Sequence, residues 1–227
     1  MKKIILSIVF LLITSSSSIG HVKHYADFNY LEYELFRNNK LIGFHKYNFE
    51  RNDSELSVKS EVEFKIRKLG VDLYNYKAFS NEIYKNNEFY AFSSKTNQNK
   101  KEKYVNIKID KPNNELIIDG SSFKGKASKD FIVGTWWNHK IIKTKAQISA
   151  ISGRVIQQKV TYIGKEKIKI NNISYDTLKF NFSSSDPSLP EKKKLNTDIW
   201  YDENNFLWVK ASFKKQGLWE YRIKTYN

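Results

Sequence analysis

The side chains that this sequence lacks already restrict its chemistry. The 227 residues include no cysteine, so this chain offers no thiol catalysis, disulfide, cysteine-ligated metal or acylation on cysteine. It also contains no Gly-x-Ser-x-Gly elbow, no His-Glu-x-x-His helix and no phosphate-binding glycine loop. We therefore expect no cofactor and no catalytic residue, and binding is favoured over a named reaction.

The four histidines are the first side chains to test for metal binding or acid–base chemistry. His21 and His24 stand three apart near the start of the chain, where a frayed terminus is a simpler interpretation than a metal site. His45 falls in a predicted strand, and His139 follows two tryptophans. A histidine beside aromatic residues is usually a hydrogen-bonded boundary residue, so no metal site is predicted.

Carboxylate pairs could also provide acid–base chemistry. Glu61 and Glu63 are two apart in one predicted strand, and Glu32 and Glu34 are two apart in another. Both pairs fall opposite an apolar face, so a solvated surface is their expected position. Asp202 begins a predicted turn, where an Asp side chain accepts hydrogen bonds from backbone amides.

The aromatic residues, 15% of the chain, are the better indication of a binding function. A concave surface lined by aromatic rings binds apolar ligands, and a few polar groups orient them. The alternative is that the rings only fill the interior of a strongly curved sheet. The candidate ligand-binding residues are Trp136, Trp137, Tyr74, Tyr76, Trp200 and Trp208.

Alternating apolar and polar residues predict the strands that would position these rings. In residues 55–67, Leu56, Val58, Val62 and Phe64 fall on one face, and charged residues dominate the other. This period of two is typical of a strand that is buried on one side. The same period recurs along the chain and predicts about eleven or twelve strands.

Asparagine pairs separate many of these strands. Asn tolerates positive φ, which two-residue hairpins require. Clear examples are Asn38-Asn39, Asn86-Asn87 and Asn171-Asn172. We expect one antiparallel, strongly curved or rolled sheet, a half-barrel or β-roll.

Residues 134–142 break the alternation. Thr135 is placed to cap the N-terminus of a short helical turn. We expect this segment to form a helical or irregular plug that covers the apolar concave face.

The start of the chain has the three regions of a secretory signal peptide. Lys2 and Lys3 precede an apolar run over residues 4–13, and small residues follow up to Gly20. A bilayer-spanning helix needs about 20 apolar residues, so cleavage near Gly20 is favoured over a membrane anchor. We expect an exported, periplasmic protein with a single β domain over residues 21–227.

Removal of Lys2 and Lys3 lowers the formal net charge of the chain from +15 to +13. A basic surface attracts anionic partners such as lipid headgroups. Export argues against nucleic acid as the partner, and any membrane association is expected to be peripheral. Because Lys, Asn and Ile are abundant together, an AT-rich genome is an alternative source of the charge.

The sequence resembles a family of bacterial exported proteins in four stretches. These are residues 33–45, 64–76, 137–138 and 198–205. The last stretch contains the Trp-Tyr-Asp turn of that family at Trp200-Tyr201-Asp202. The family is a domain of unknown function, number six-one-three-four. The resemblance implies one rolled antiparallel β domain, broadly similar to periplasmic lipoprotein carriers, and it supplies no catalytic residues. Other members commonly have Asn-Gly where this chain has Asn38-Asn39.

Three functional classes follow from these observations. The favoured one is a non-enzymatic periplasmic binder or carrier of a lipid or another amphiphile. The alternatives are an envelope scaffold or interaction protein with a filled core, and a small outer-membrane β-barrel.

Overall fold

The computed structural model describes residues 25–227, apart from the side chain of residue 192. The predicted signal peptide and its cleavage position near Gly20, together with His21 and His24, lie outside the described residues. The described residues form one sheet of fifteen strands. The strands are β1 (Tyr30–Arg37), β2 (Lys40–Arg51), β3 (Glu55–Lys68), β4 (Val71–Lys85), β5 (Glu88–Gln98), β6 (Lys101–Asp110), β7 (Glu115–Gly120), β8 (Lys124–Ser128), β9 (Ile132–Val133), β10 (Ala146–Ile148), β11 (Val155–Ile170), β12 (Ile173–Ser184), β13 (Asn196–Asp202), β14 (Trp208–Lys214) and β15 (Leu218–Tyr226).

The sheet order is β8-β7-β6-β5-β4-β3-β2-β1-β15-β14-β13-β12-β11-β10-β9. The first and last strands of the described residues, β1 and β15, therefore pair with each other in the middle of the sheet. The two edges, β8 and β9, are consecutive in sequence but do not pair with each other, so the sheet stays open. Every neighbouring pair is antiparallel except β9 and β10.

The predicted class, an all-β curved antiparallel sheet, is confirmed, but the predicted number of strands is too low. The difference comes from pieces such as β8, β9 and β10, which have five, two and three residues. β9 and β10 contain too few residues to display a period of two, and the sequence of β8, KGKAS, contains almost no apolar residues that could alternate.

The asparagine hairpins form as predicted. Both residues of each pair adopt positive φ, 49° and 60° at Asn38-Asn39 and 49° and 67° at Asn171-Asn172. This is the backbone of a type I′ turn, whose twist matches that of the flanking strands. The turns at 38–39, 69–70, 99–100 and 215–217 lie at one end of the sheet, the upper end, and the turns at 86–87 and 171–172 lie at the lower end.

The curvature encloses a large hydrophobic core on the inner face of the sheet. Alternate residues of β3, Leu56, Val58, Val62 and Phe64, are buried in it, as the pattern in 55–67 predicts. The β11–β12 hairpin bends across the lower end, where the side-chain amide of Asn171 donates to the Ile223 carbonyl oxygen at 3.5 Å. A smaller core lies between β5, β6, β7, β9 and β10.

The segment between β9 and β10 lies on the inner face, as predicted for a plug. It ends in a 3₁₀ turn at His139–Lys143, whose N-cap is Asn138. The Asn138 side-chain oxygen accepts from the Lys140 amide at 3.1 Å. The prediction that Thr135 is the cap is wrong, because the Thr135 hydroxyl donates to the buried Glu82 carboxylate at 3.2 Å.

Candidate ligand-binding site

An aromatic cluster lines the inner face near the upper end of the sheet. Phe64 on β3 lies directly opposite Tyr76 on β4, and their rings stack with centroids 4.7 Å apart. Trp219 on β15 meets the Phe64 ring edge-on at 5.2 Å. The upper aromatic cluster consists of Phe64, Tyr74, Tyr76, Phe213 and Trp219.

Burial differs among these rings. Phe64 and Tyr76 are buried, whereas Tyr74 and Trp219 are half-buried. Half-buried aromatic rings on a concave face can receive apolar groups without a prior rearrangement of the core. The cluster therefore provides an accessible apolar surface at the upper end.

Beside this cluster, β2 and β3 separate. Their last paired residues toward the upper end are Gly43 and Phe64. A Cβ atom at Gly43 would lie 2.0 Å from the Glu63 carbonyl oxygen, so only glycine allows the two backbones to approach so closely. Above this point β2 pairs only with β1, and β3 only with β4.

The separation opens the upper cleft, with a volume of about 700 Å³. This volume lies within the range of small-molecule sites, about 300–1,000 Å³. Phe64 and Ile66 reach it from the inner face, whereas Lys65 and Arg67 alternate with them along β3. The cleft therefore connects the apolar inner face with a charged outer surface. Its further lining residues are Arg37, Asn38, Lys40, Leu41, Ile42, Gly43, Phe44 and Glu63.

Positive charge dominates the rim of the upper cleft. Its one carboxylate, Glu63, pairs with Lys77 at 3.2 Å, and Arg67 pairs with Asp72 at 2.6 Å. Within residues 25–227, Lys40 and Lys65 form no ion pair. Arg37, which also lines the cleft, likewise forms no ion pair among these residues, but its guanidinium donates to the Gln216 carbonyl oxygen. Lys40 and Lys65 are thus the two cations available to an anionic group in the cleft.

His45 lies two residues below Gly43, on the same side of β2. Its ring centroid is 4.3 Å from that of Tyr47 and 5.9 Å from that of Tyr221. His45 is partly exposed as a residue, but both of its ring nitrogens are buried and lack a hydrogen-bond partner among the described residues. The indole nitrogen of Trp208 is also buried without such a partner. Burial lowers the pKa of His45 to about 3, so its imidazole is neutral at pH 7.

Below His45, a buried polar network attaches the plug to β4. The Glu82 carboxylate accepts from the indole nitrogen of Trp137 at 3.0 Å, from the Thr135 hydroxyl and from the Tyr84 hydroxyl. The side-chain amide of Asn138 donates to the Tyr84 hydroxyl at 2.9 Å. Burial raises the pKa of Glu82 to about 6, although these donors lower it. Glu82, on β4, thus accepts hydrogen bonds from two residues of the plug, Thr135 and Trp137, and so attaches the plug to the sheet.

Sequence reasoning did not identify Glu82 or the orphaned nitrogens of His45. Both could have been identified from their positions in the alternating pattern of their strands. Glu82 is in phase with the inward residues Tyr76 and Tyr84 of β4, and His45 is in phase with Tyr47 of β2. A polar side chain on the apolar face of an alternating strand marks a buried polar group.

A second cleft, of about 830 Å³, lies at the lower end between the plug and the strands β4 to β9. Apolar residues such as Phe89, Leu116 and Phe131 contribute to it. Its lysines, like those of the upper cleft, form no ion pairs among the described residues. They are Lys111, Lys129, Lys140, Lys143 and Lys145.

The structure places the six predicted ligand-binding residues in four environments. Tyr74 and Tyr76 belong to the upper aromatic cluster. Trp136 meets the Trp208 ring at 5.3 Å on the inner face.

Trp137 lies deeper, fully buried against Tyr84 at 5.8 Å. Trp200 points away from the core, between the ammonium groups of Lys179 and Lys210 at 4.6 and 4.9 Å from its ring. Its indole nitrogen donates to Glu166 at 2.9 Å. Trp200 therefore lies on the opposite face of the sheet from the other five.

His139 is buried and stacks on Phe206, with ring centroids 4.8 Å apart. Over the described part of the chain, no group of three or more His, Asp or Glu side chains is arranged to hold a metal ion. The same residues contain no helix with the length and apolar character needed to cross a bilayer.

Comparison with known proteins gives a family and a fold. A family model described as Domain of unknown function (DUF6134) matches residues 33–224. The fold is similar to the crystal structure of a beta-barrel-like protein of the domain of unknown function DUF1849, from Brucella abortus. The two sequences are 10% identical. The structures superpose with a TM-score of 0.59, over 87% of this chain and 96% of that chain.

A crystal structure of a DUF1329 family protein from Desulfovibrio piger covers 91% of this chain and 89% of its own, with 8% identity and a TM-score of 0.22. No curated protein matches the chain. At 10% identity, the likeness to the Brucella protein concerns the fold alone.

Proposed function

Because this chain belongs to the DUF6134 family, whose description names no activity, we propose from its geometry a non-enzymatic binder or carrier of an amphiphile. The ligand is a lipid or a similar molecule with an apolar chain and an anionic headgroup. The protein acts in the periplasm after export. The upper cleft is the observation that carries the proposal, since Phe64 of the upper aromatic cluster lines it together with the unpaired cations Lys40 and Lys65.

The apolar chain of the ligand would lie on the half-buried rings of Tyr74 and Trp219. Each buried CH₂ group contributes about 0.8 kcal/mol, before the cost of ordering the ligand is subtracted. The headgroup would meet Lys40 and Lys65 at the rim. A polar group of the ligand that reaches His45 would also supply a missing hydrogen-bond partner to a buried imidazole nitrogen.

Dodecyl phosphate, below its critical micelle concentration, is a suitable probe for titration calorimetry. We expect saturable binding that weakens about tenfold in the variant Lys40→Gln/Lys65→Gln, because two charge-assisted contacts of about 0.7 kcal/mol each are lost. Neutral dodecanol should bind the wild type and this variant alike, since it carries no charge.

The matched control is Lys95→Gln/Lys108→Gln, which removes two exposed lysines of β5 and β6. It should bind the probe like the wild type. If both double variants lose the same affinity for dodecyl phosphate, the effect comes from net charge, and the proposed site is contradicted.

A filled-core scaffold is the second candidate, and the deeper half of the inner face favours it. Trp137, Trp208 and Tyr33 there are completely buried. If dodecyl phosphate produces no saturable heat, the scaffold role replaces the carrier role.

A further inference from the structure

The tip of the β3–β4 hairpin exposes large apolar side chains. Leu69 is 94% exposed, Val71 61% and Leu73 53%. Leu41, at the start of β2 on the same upper end, is 52% exposed. Apolar side chains gathered at one end of a protein commonly mark an interaction surface.

The backbone at this tip is also unusual. Leu69 has φ of +50°, a conformation that is unfavourable for leucine and suits Asn or Gly. Comparable hairpins of this chain place Asn38, Asn86 and Asn171 at the same turn position, with φ of 49°, 52° and 49°. A leucine at position 69 therefore stabilises neither the turn nor the core. Its presence indicates a role in contacts outside the folded domain.

Cations surround the apolar tip. Arg67 and Lys68 precede Leu69, and Lys40 and Lys65 lie at the same end of the sheet. The one carboxylate within residues 67–73 is Asp72, which pairs with Arg67. Apolar side chains ringed by Lys and Arg complement a bilayer with anionic headgroups, since the chains enter the interface and the cations remain at the lipid phosphates.

We propose that residues 67–73 dock the protein on an anionic lipid surface, with Leu69 and Val71 inserted into the interfacial layer. In this orientation the upper cleft lies beside the bilayer, because Leu41 and Arg67 line it. The docking surface does not depend on a ligand in the cleft, so the two proposals can fail separately.

Co-sedimentation of the purified protein with vesicles tests the docking. The vesicles contain either phosphatidylcholine alone or phosphatidylcholine with 30% phosphatidylglycerol. We expect binding to the anionic vesicles and at least tenfold weaker partitioning for Leu69→Asn/Val71→Thr. Because Asn suits the φ of +50°, the Leu69→Asn substitution should not lower the melting temperature, so a loss of binding cannot be attributed to unfolding.

Ile173→Thr is the matched control. Ile173 is the first residue after the 171–172 turn, as Val71 is after the 69–70 turn, and it is 50% exposed at the lower end. This variant should partition like the wild type. Equal losses in the control and in the tip variant, absence of vesicle binding, or equal binding to neutral vesicles would overturn the proposal. Dodecyl phosphate titration of the tip variant reports independently on the cleft.

Discussion

At the level of single residues, burial shifts the pKa values of two ionisable groups on the inner face. One of them has hydrogen-bond donors around it, and the other has none among the described residues. Glu82 loses water but gains donors from Trp137, Thr135 and Tyr84. His45 loses water and gains no hydrogen bond from the described residues. Burial disfavours the charged form of each, which raises the pKa of Glu82 to about 6 and lowers that of His45 to about 3.

The substitution Glu82→Gln should change how stability depends on pH. The folded pKa of Glu82, about 6, lies above its ordinary value of 4.5, so the folded state binds this proton more tightly than the unfolded state. Its contribution to the free energy of unfolding is therefore fully present below pH 4.5. It is lost as the pH rises through 6, by about 2 kcal/mol in total.

Urea denaturation of the wild type and Glu82→Gln at pH 4.5, 5.5 and 7 measures this effect. The advantage of the wild type over the variant should shrink by about 2 kcal/mol from the lowest to the highest pH. Comparing the two proteins cancels the opposite contribution of His45, which falls as the pH decreases below 6.5. A difference that stays constant with pH would show that Glu82 does not titrate in this range.

At the level of elements, the plug shows how an irregular segment is fixed on a curved sheet. Trp137 carries most of this role, since its ring contacts Tyr25, Phe49 and Tyr84 at centroid distances of 5.6, 5.4 and 5.8 Å. Its indole nitrogen also binds Glu82. The plug thus fills the deeper part of the concave face, and the upper aromatic cluster remains accessible.

We expect Trp137→Phe to destabilise the protein by about 2–4 kcal/mol. The smaller ring leaves a cavity, and the buried Glu82 carboxylate loses a donor. Trp200→Phe is the matched control. It also removes an indole–carboxylate hydrogen bond, but on the outer face, to a Glu166 side chain that is 47% exposed. Because the Trp200 ring is itself only 5% exposed, lost packing adds to the cost, which should be about 1–2 kcal/mol. Chemical denaturation monitored by far-ultraviolet circular dichroism measures both, and equal losses would contradict an anchoring role for Trp137.

At the level of the whole molecule, the chain folds as two meanders that meet at β1 and β15. The ends of the described chain lie side by side, since the Asn29 amide donates to the Asn227 carbonyl oxygen at 2.6 Å. The sheet edges β8 and β9 lie close together in sequence. Strand order along the sheet is therefore a circular permutation of strand order along the chain.

A circular permutant tests this topology directly. Joining Asn227 to Tyr25 by a short Gly/Ser linker and opening the chain between Lys129 and Asp130 makes the pairing of β1 with β15 local. Folding rates rise as contacts become more local, so we expect refolding several-fold faster than for the parent chain. Stopped-flow refolding by tryptophan fluorescence provides the measurement. A slower permutant, or one without native-like circular dichroism, would contradict the expectation.

Much of the local structure could be predicted from the sequence, because it depends on short-range physics. The alternation in 55–67 identifies the buried face of β3, and the asparagine pairs identify type I′ turns, since φ preference is a property of the residue itself. The plug interrupts a period of two over enough residues to be visible. Export with cleavage near Gly20 remains a prediction.

The candidate site depends on contacts between residues far apart in the chain, which one-dimensional patterns do not encode. The upper cleft exists because β2 and β3 part beyond Gly43, and the Phe64–Trp219 contact brings β3 to β15. Trp200 and Trp208 look alike in sequence, yet one lies on the outer face and the other in the core. The sequence by itself determined the longer strands, the asparagine turns and the charge. Only the tertiary structure decided which rings meet and which polar atoms are orphaned, because burial and proximity are set by the curvature of the sheet and by the plug on its inner face.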